Sequence, residues 1–182
     1  MHARVLRLPV LLLLQGIAPS PSTAQMMGGR VSASGGLVLP VGDLEKTAST
    51  GFEVAIRTGA GGSTAGWSYR GNFAFTRFSG RDSVRAWQFI NYGGDIVHHS
   101  SAKYYQFGGF AINQVKRTMR EGTSQFGGAR SEFESFDFGL SGGVGITVGS
   151  GRSPLFAEFG ATKVFGDVND FSWFSVKLGV RL

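Results

Sequence analysis

Polar and apolar side chains alternate with period two along most of this chain, and do so to its very end in residues 171–182. One register there holds Phe174, Val176, Leu178, Val180 and Leu182; the other holds Trp173, Ser175, Lys177, Gly179 and Arg181. Successive side chains of a strand point to opposite faces, so this pattern predicts a strand over residues 171–181 whose apolar register continues into the last residue. Seven further segments are predicted as strands: residues 30–39, 51–59, 66–78, 85–97, 103–116, 135–148 and 155–165. Segment 135–148 alternates best, setting Phe136, Phe138, Leu140, Val144, Ile146 and Val148 against Ser135, Asp137, Gly139, Ser141, Gly143, Gly145 and Thr147. Segments 85–97 and 103–116 are aromatic but alternate poorly. Most segments reach the roughly 9–11 residues that a tilted strand needs to cross a bilayer.

The intervening connections also alternate. Residues 40–50 and 117–134 form long loops, whereas 60–65, 98–102 and 149–154 are short and rich in Gly, Ser and small residues. Long loops would then gather at one end of the sheet, and short turns with both termini at the other. Glycines recur every few residues and argue against helix interiors; the 117–134 loop has room for one short helical turn.

Residues 1–24 read differently. Arg4 and Arg7 precede an apolar run containing four consecutive leucines, and Ser22-Thr23-Ala24 places small residues before Gln25. This is the pattern of a secretory signal peptide cleaved after Ala24, leaving residues 25–182 as one domain. The apolar run is too short for a transmembrane anchor, and no later segment approaches the length of a membrane-spanning helix. Charged residues make up only 16% of the chain, with 29 glycines and 16 phenylalanines; typical soluble proteins carry about 25% charge. An exported chain so poor in charge must place its apolar surface somewhere, and lipid is one solution. The formal net charge of +6 comes from scattered Lys and Arg, without the basic stripe or motif of a nucleic-acid-binding protein. Cysteine is absent, which removes disulfides and thiol chemistry.

Three stretches resemble the small eight-stranded outer-membrane β-barrels of the OmpA/OmpX type and the generic outer-membrane β-barrel domain of Gram-negative bacteria. They are Gly35-Gly36-Leu37-Val38-Leu39-Pro40-Val41-Gly42-Asp43 with Thr50-Gly51-Phe52, then Phe138-Gly139-Leu140-Ser141-Gly142-Gly143-Val144-Gly145, and the terminal Val176-Lys177-Leu178-Gly179-Val180-Arg181-Leu182. The resemblance spans residues 26–182 and implies an all-β, eight-stranded antiparallel up-and-down transmembrane barrel. It implies also that the barrel-assembly machinery reads the last strand through Val176, Leu178, Val180 and Leu182. Such barrels typically end in an aromatic residue, and here Leu182 takes its place.

Alternation alone does not say which face is outside. In the sixth segment the polar face is Ser, Asp, Gly and Thr, which suits a cramped lumen better than a water-exposed wall. With the apolar face toward lipid, the lumen receives Glu53, Arg57, Asp137, Glu158, Lys177 and Arg181, with Arg70 and Asp95 as further candidates. Nearly balanced signs fit a structural salt-bridge network, because unpaired buried charge is costly. Glu158 and Lys177, on adjacent strands, are expected to face each other. The glycine pairs 35–36, 93–94, 108–109 and 142–143 would make room for Trp173 and other large inward groups. Trp67, Phe78, Trp87, Tyr104, Tyr105, Phe165 and Phe171 are candidates for aromatic girdles. His98 and His99, placed in a short turn beside Ser100 and Ser101, fall short of a catalytic or metal-binding set. Lys116, Arg117, Arg120 and Arg130, with Glu121, Glu132 and Glu134, make the longest loop a candidate contact for lipopolysaccharide phosphates. The expectation is a monomeric, non-enzymatic outer-membrane barrel without cofactor or metal. It has a closed, porin-like wall, a structural or surface-interaction role through its loops, and lipids, lipopolysaccharide and the assembly machinery as partners. A narrow channel and a soluble periplasmic lipocalin-like ligand-binding barrel are the alternatives.

Overall fold

Strands with one greasy face must bury it or meet lipid, and here the sheet closes on itself. A computed structural model describes residues 29–60, 66–120, 132–149, 153–166 and 169–182. The expected leader, residues 1–24, and residues 121–131 of the longest loop lie outside the described residues. The order is β1 (Gly29–Val41), α1 (Asp43–Thr47), β2 (Ala48–Ala60), β3 (Gly66–Gly80), β4 (Val84–His99), β5 (Tyr104–Met119), β6 (Glu132–Val148), β7 (Leu155–Phe165) and β8 (Phe171–Arg181). Each strand pairs antiparallel with the next, and β8 returns to β1, giving a closed eight-stranded up-and-down barrel. On the closing seam Leu37 lies opposite Val176 and Leu39 opposite Phe174. Like meets like across the seam, which pins the register, since a one-residue slip would turn an apolar row into the polar lumen.

The apolar row faces out. Leu37, Ile56, Tyr69, Ile112, Phe159 and Leu178 are all exposed, Leu178 to 68%. Glu53, Arg57, Asp95, Asp137, Glu158 and Lys177 are buried, Glu158 to 2% exposure. A water-soluble barrel has the reverse polarity.

Three local features depart from the sequence reading. Residues 40–50 hold a short helix, α1, rather than a plain loop. Strands β3 to β6 run 15 to 17 residues, against 11 for β7 and β8. The β3–β4 connection therefore shrinks to Arg81–Ser83, with Asp82 at φ 51°, and the helix-bearing end projects as long hairpins more than as long loops. Finally, His98 and His99 belong to β4 and not to the turn.

The lumen at the helix-bearing end is filled with rings. Val38, Leu44, Phe78, Phe89, Val115, Val164, Phe171 and Trp173 form one buried cluster. Trp173 packs 5.7 Å from Phe78 and 4.9 Å from Phe89, and Leu44 of α1 closes the cluster from above. Phe78, Trp87, Tyr105 and Phe171 are thus inside the barrel and do not belong to a girdle; Trp67, Tyr104 and Phe165 do face outward. The reason is parity. Phe78 shares its face with buried Thr76, Trp87 with Asn91, Tyr105 with Asn113, and Phe171 with Ser175 and Lys177. Trp87 Nε1 donates to Thr47 Oγ1 at 3.2 Å, tying α1 to the wall. Thr47→Val should cost about 1 kcal/mol, the usual worth of one such bond, read as a lower urea midpoint with an unchanged slope. The exposed Asp43–Lys46 pair at 2.8 Å, through its hydrogen bond and charge, holds the Asp43 carboxyl below its ordinary value; fully solvated pairs of this kind add little.

Candidate functional site: the ion-paired lumen

Below the aromatic cluster the lumen turns polar, and the strand registers explain how. Arg57 on β2 sits opposite Asn72 on β3, Arg70 opposite Asp95 on β4, and Glu158 on β7 opposite Lys177 on β8. All carry the inward parity of their strands. Glu158 is the hub. Its Oε2 lies 3.0 Å from Arg57 Nη2 and its Oε1 2.7 Å from Arg70 Nη1. The Tyr105 hydroxyl donates to Oε1 at 3.0 Å. Arg70 Nε also pairs with Asp95 Oδ2 at 2.6 Å, and its guanidinium lies 4.5 Å from the centre of the Phe107 ring. Lys177 Nζ meets Glu53 Oε1 at 2.8 Å, and Thr76 donates to Glu53 Oε2 at 3.3 Å. Three cations thus neutralise three carboxylates in a volume closed to solvent, which buried charge requires.

The structure brings together the sequence candidates Glu53, Arg57, Glu158 and Lys177 with the further candidates Arg70 and Asp95. Glu158 and Lys177 are cross-strand neighbours, yet each takes its ion partner elsewhere. Asp137 stands apart, accepting from the Ser135 hydroxyl at 2.8 Å. Arg181 lies nearer the terminal end, its guanidinium 5.5 Å from the Tyr105 ring and 5.9 Å from the Phe156 ring. Of the C-terminal apolar residues, Val176, Leu178 and Leu182 are exposed on the outer wall, and Val180 is half-buried in the same register.

Sequence reasoning missed the asparagines. Asn91, Asn113 and Asp137 form an in-register inward row across β4, β5 and β6. Asn91 Nδ2, Asn113 Oδ1 and Asn72 Oδ1 are buried without a hydrogen-bond partner among the described residues, and these three residues border a cavity of about 20 Å³. That is room for roughly one water and far too little for an open pore. Inward polar parity on two poorly alternating strands was the available signal.

The glycines make room for rings, though not for Trp173. A Cβ on Gly143 would lie 2.7 Å from Phe107 Cζ, and one on Gly160 3.3 Å from the same atom. Gly145 faces the Tyr105 ring and Gly179 the Phe156 ring.

Elsewhere, His99 Nε2 is 3.2 Å from Ser68 Oγ, and His98 packs 4.6 Å from Trp67. Among the described residues no group of three His, Cys, Asp or Glu side chains is placed to hold a metal. In the long β5–β6 hairpin, Lys116 pairs with Glu132 at 2.9 Å, Gln114 hydrogen-bonds Glu134, and Arg117 lies over Trp87 and Phe133. Arg120 bonds through its backbone to Ser83, while Glu121 and Arg130 lie outside the described residues.

A closed eight-stranded barrel with ion pairs inside and an apolar wall outside is the architecture of small transmembrane β-barrels. Solved outer-membrane barrels share the fold. Ail, the attachment invasion locus protein of Yersinia pestis, solved in complex with the heparin analogue sucrose octasulfate, is 16% identical with a TM-score of 0.61, covering 85% of this chain and 99% of its own. Neisserial surface protein A is 16% identical with a TM-score of 0.53, covering 85% and 96%. A major outer membrane protein of Thermus thermophilus is 13% identical with a TM-score of 0.55, covering 84% and 98%. No protein-family model and no curated protein sequence matches the chain.

Proposed function

We propose that this chain is an integral outer-membrane protein of a Gram-negative bacterium, exported by residues 1–24. In this reading its lumen network is structural and its helix-bearing end is presented outward as an interaction surface. The observation that carries this reading is the inverted polarity: a continuous apolar outer wall around sealed ion pairs is stable only in hydrocarbon. The soluble lipocalin-like alternative requires the opposite arrangement. The fold shared with Ail, a protein solved with a heparin analogue bound, supports a surface-interaction role over an enzymatic one. Membrane lipids and lipopolysaccharide are the immediate partners. Arg77 on β3 and Arg85 on β4 are exposed near the outer rim and make no ion pair with described residues, which suits them to lipid phosphates. The apolar register of β8 supplies the assembly signal, and a monomer suffices because the barrel has no free closing edge.

Expression of the full chain should place it in the outer-membrane fraction, with faster gel mobility unboiled than boiled. A soluble periplasmic band without a mobility shift would overturn the reading. The narrow-channel alternative conflicts with the aromatic cluster and the roughly one-water cavity. Purified protein in a planar bilayer should show no conductance steps, and discrete steps would reinstate the channel.

A further inference from the structure

The outer wall is not uniform. Near the end that carries both termini, the small side chain of Ala157 leaves a groove of about 470 Å³ bordered by Tyr104, Gln106, Ile146, Phe159 and Val176. That volume lies within the roughly 300–1,000 Å³ of small-molecule sites. Its walls are largely apolar; Ser100, Tyr104 and Gln106, from β5 and the turn before it, are its accessible polar residues, while Tyr105 and Glu158, which also border it, are buried, the Glu158 carboxylate paired with Arg57 and Arg70. Gln106 is exposed on the outer wall, and its side chain has no hydrogen-bond partner among the described residues. Lys103 is the last residue of the same turn. Its carbonyl accepts from the Thr147 amide at 2.7 Å, which fixes its backbone between Ser100 and Tyr104, two residues that border the groove. Its side chain is exposed and makes no ion pair with described residues.

By sequence, the charged side chains of the connections at this end have one sign. The connections 61–65, 100–103 and 149–154 contain Lys103 and Arg152 but no Asp or Glu. Asp43, Glu45, Asp82, Glu132, Glu134 and Asp170 lie at the opposite end, and Glu53, Asp95, Asp137 and Glu158 are sealed in the lumen. An anion at the groove's edge therefore meets a free ammonium and no opposing carboxylate side chain. The groove itself lies on the apolar wall, where only a molecule with a hydrocarbon part can enter.

We propose that this groove is a binding site for one anionic glycerophospholipid of the periplasmic leaflet. An acyl chain lies along Ala157 between Ile146, Phe159 and Val176, the phosphate meets Lys103, and the Gln106 amide, deeper in the wall, donates to a glycerol ester carbonyl. The proposal rests on the membrane reading above, so the test separates the two. The full-length chain is first inserted into vesicles and checked for the heat-dependent mobility shift. It is then transferred to nanodiscs containing equal phosphatidylglycerol and phosphatidylcholine, and retained lipid is measured by native mass spectrometry. One phosphatidylglycerol should remain with about fivefold preference, the weight of a single Lys at an anionic surface. Lys103→Glu should erase the preference while leaving insertion intact, and Ala157→Phe should abolish retention of both lipids. Equal retention of the two lipids, or a preference unchanged by Lys103→Glu, overturns the site alone. Failure of the wild-type chain to insert overturns the membrane reading and the site together.

Discussion

Replacing Glu158 by alanine should destabilise the barrel by about 3–5 kcal/mol, the usual cost of breaking a buried ion pair by removing one partner. Glu158 serves Arg57 and Arg70 at once and accepts the Tyr105 hydroxyl. Its loss leaves Arg57, the more buried of the two guanidiniums, without a carboxylate, while Arg70 keeps only Asp95. Against a total stability on the order of 5–15 kcal/mol, that is a large share. Urea titration in detergent micelles, followed by the heat-dependent mobility shift, should show the midpoint fall steeply. The neighbouring pair provides the control. Lys177→Leu alone should cost a comparable amount because Glu53 is left charged and buried, whereas Lys177→Leu with Glu53→Leu should recover most of the loss. If the double variant is no more stable than the single one, packing and not charge pairing holds this layer together.

Gly143→Val should prevent most molecules from closing. The two glycines of this pair face opposite sides of the wall, and only one has space. A Cβ on Gly143 would collide with the Phe159 carbonyl oxygen, lie 2.8 Å from Gly160 Cα, and press on the Phe107 ring. One on Gly142 would meet nothing nearer than the Phe107 carbonyl oxygen at 3.5 Å. Overpacking typically costs about 1–3 kcal/mol, and a collision with backbone, which cannot change rotamer, lies at or beyond the top of that range. Gly142→Ala, one residue away, should change stability by no more than about 0.5 kcal/mol. The fraction of heat-modifiable protein after refolding measures both. Equal yields for the two variants would show that the strands can separate to admit the side chain.

Much of this was legible in the residues. The bounds of β7 and β8 follow from alternation to the residue, because each strand sits between turn-forming segments and keeps its alternation, broken on the outer row of β7 only by Lys163. Strands β4 and β5 were harder. Large side chains occupy both faces, with Trp87, Phe89 and Tyr105 inside and Tyr92, Tyr104 and Phe110 outside, so hydrophobicity loses its power to mark the face. Only the parity of Asn91, Asp95 and Asn113 carries the signal there. Helix α1 escaped detection because five residues leave no periodic pattern. It is held by the burial of Leu44 on rings contributed by distant strands.

The lumen shows the same division. That Glu53, Arg57, Asp137, Glu158, Lys177 and Arg181 belong on the polar face follows from period two, a property of each strand by itself. Who pairs with whom does not. Arg70 reaches Glu158 across 88 positions of chain, and Lys177 reaches Glu53 across 124. Those meetings depend on side chains crossing the interior once the sheet has curved shut. By itself, then, the sequence determined the strand count and the division of most strands into a polar and an apolar face, because these are local consequences of backbone geometry. Only the closed barrel decided the ion partners, the aromatic closure under α1 and the groove at Ala157, because each is made by residues far apart in sequence that ring closure brings into contact.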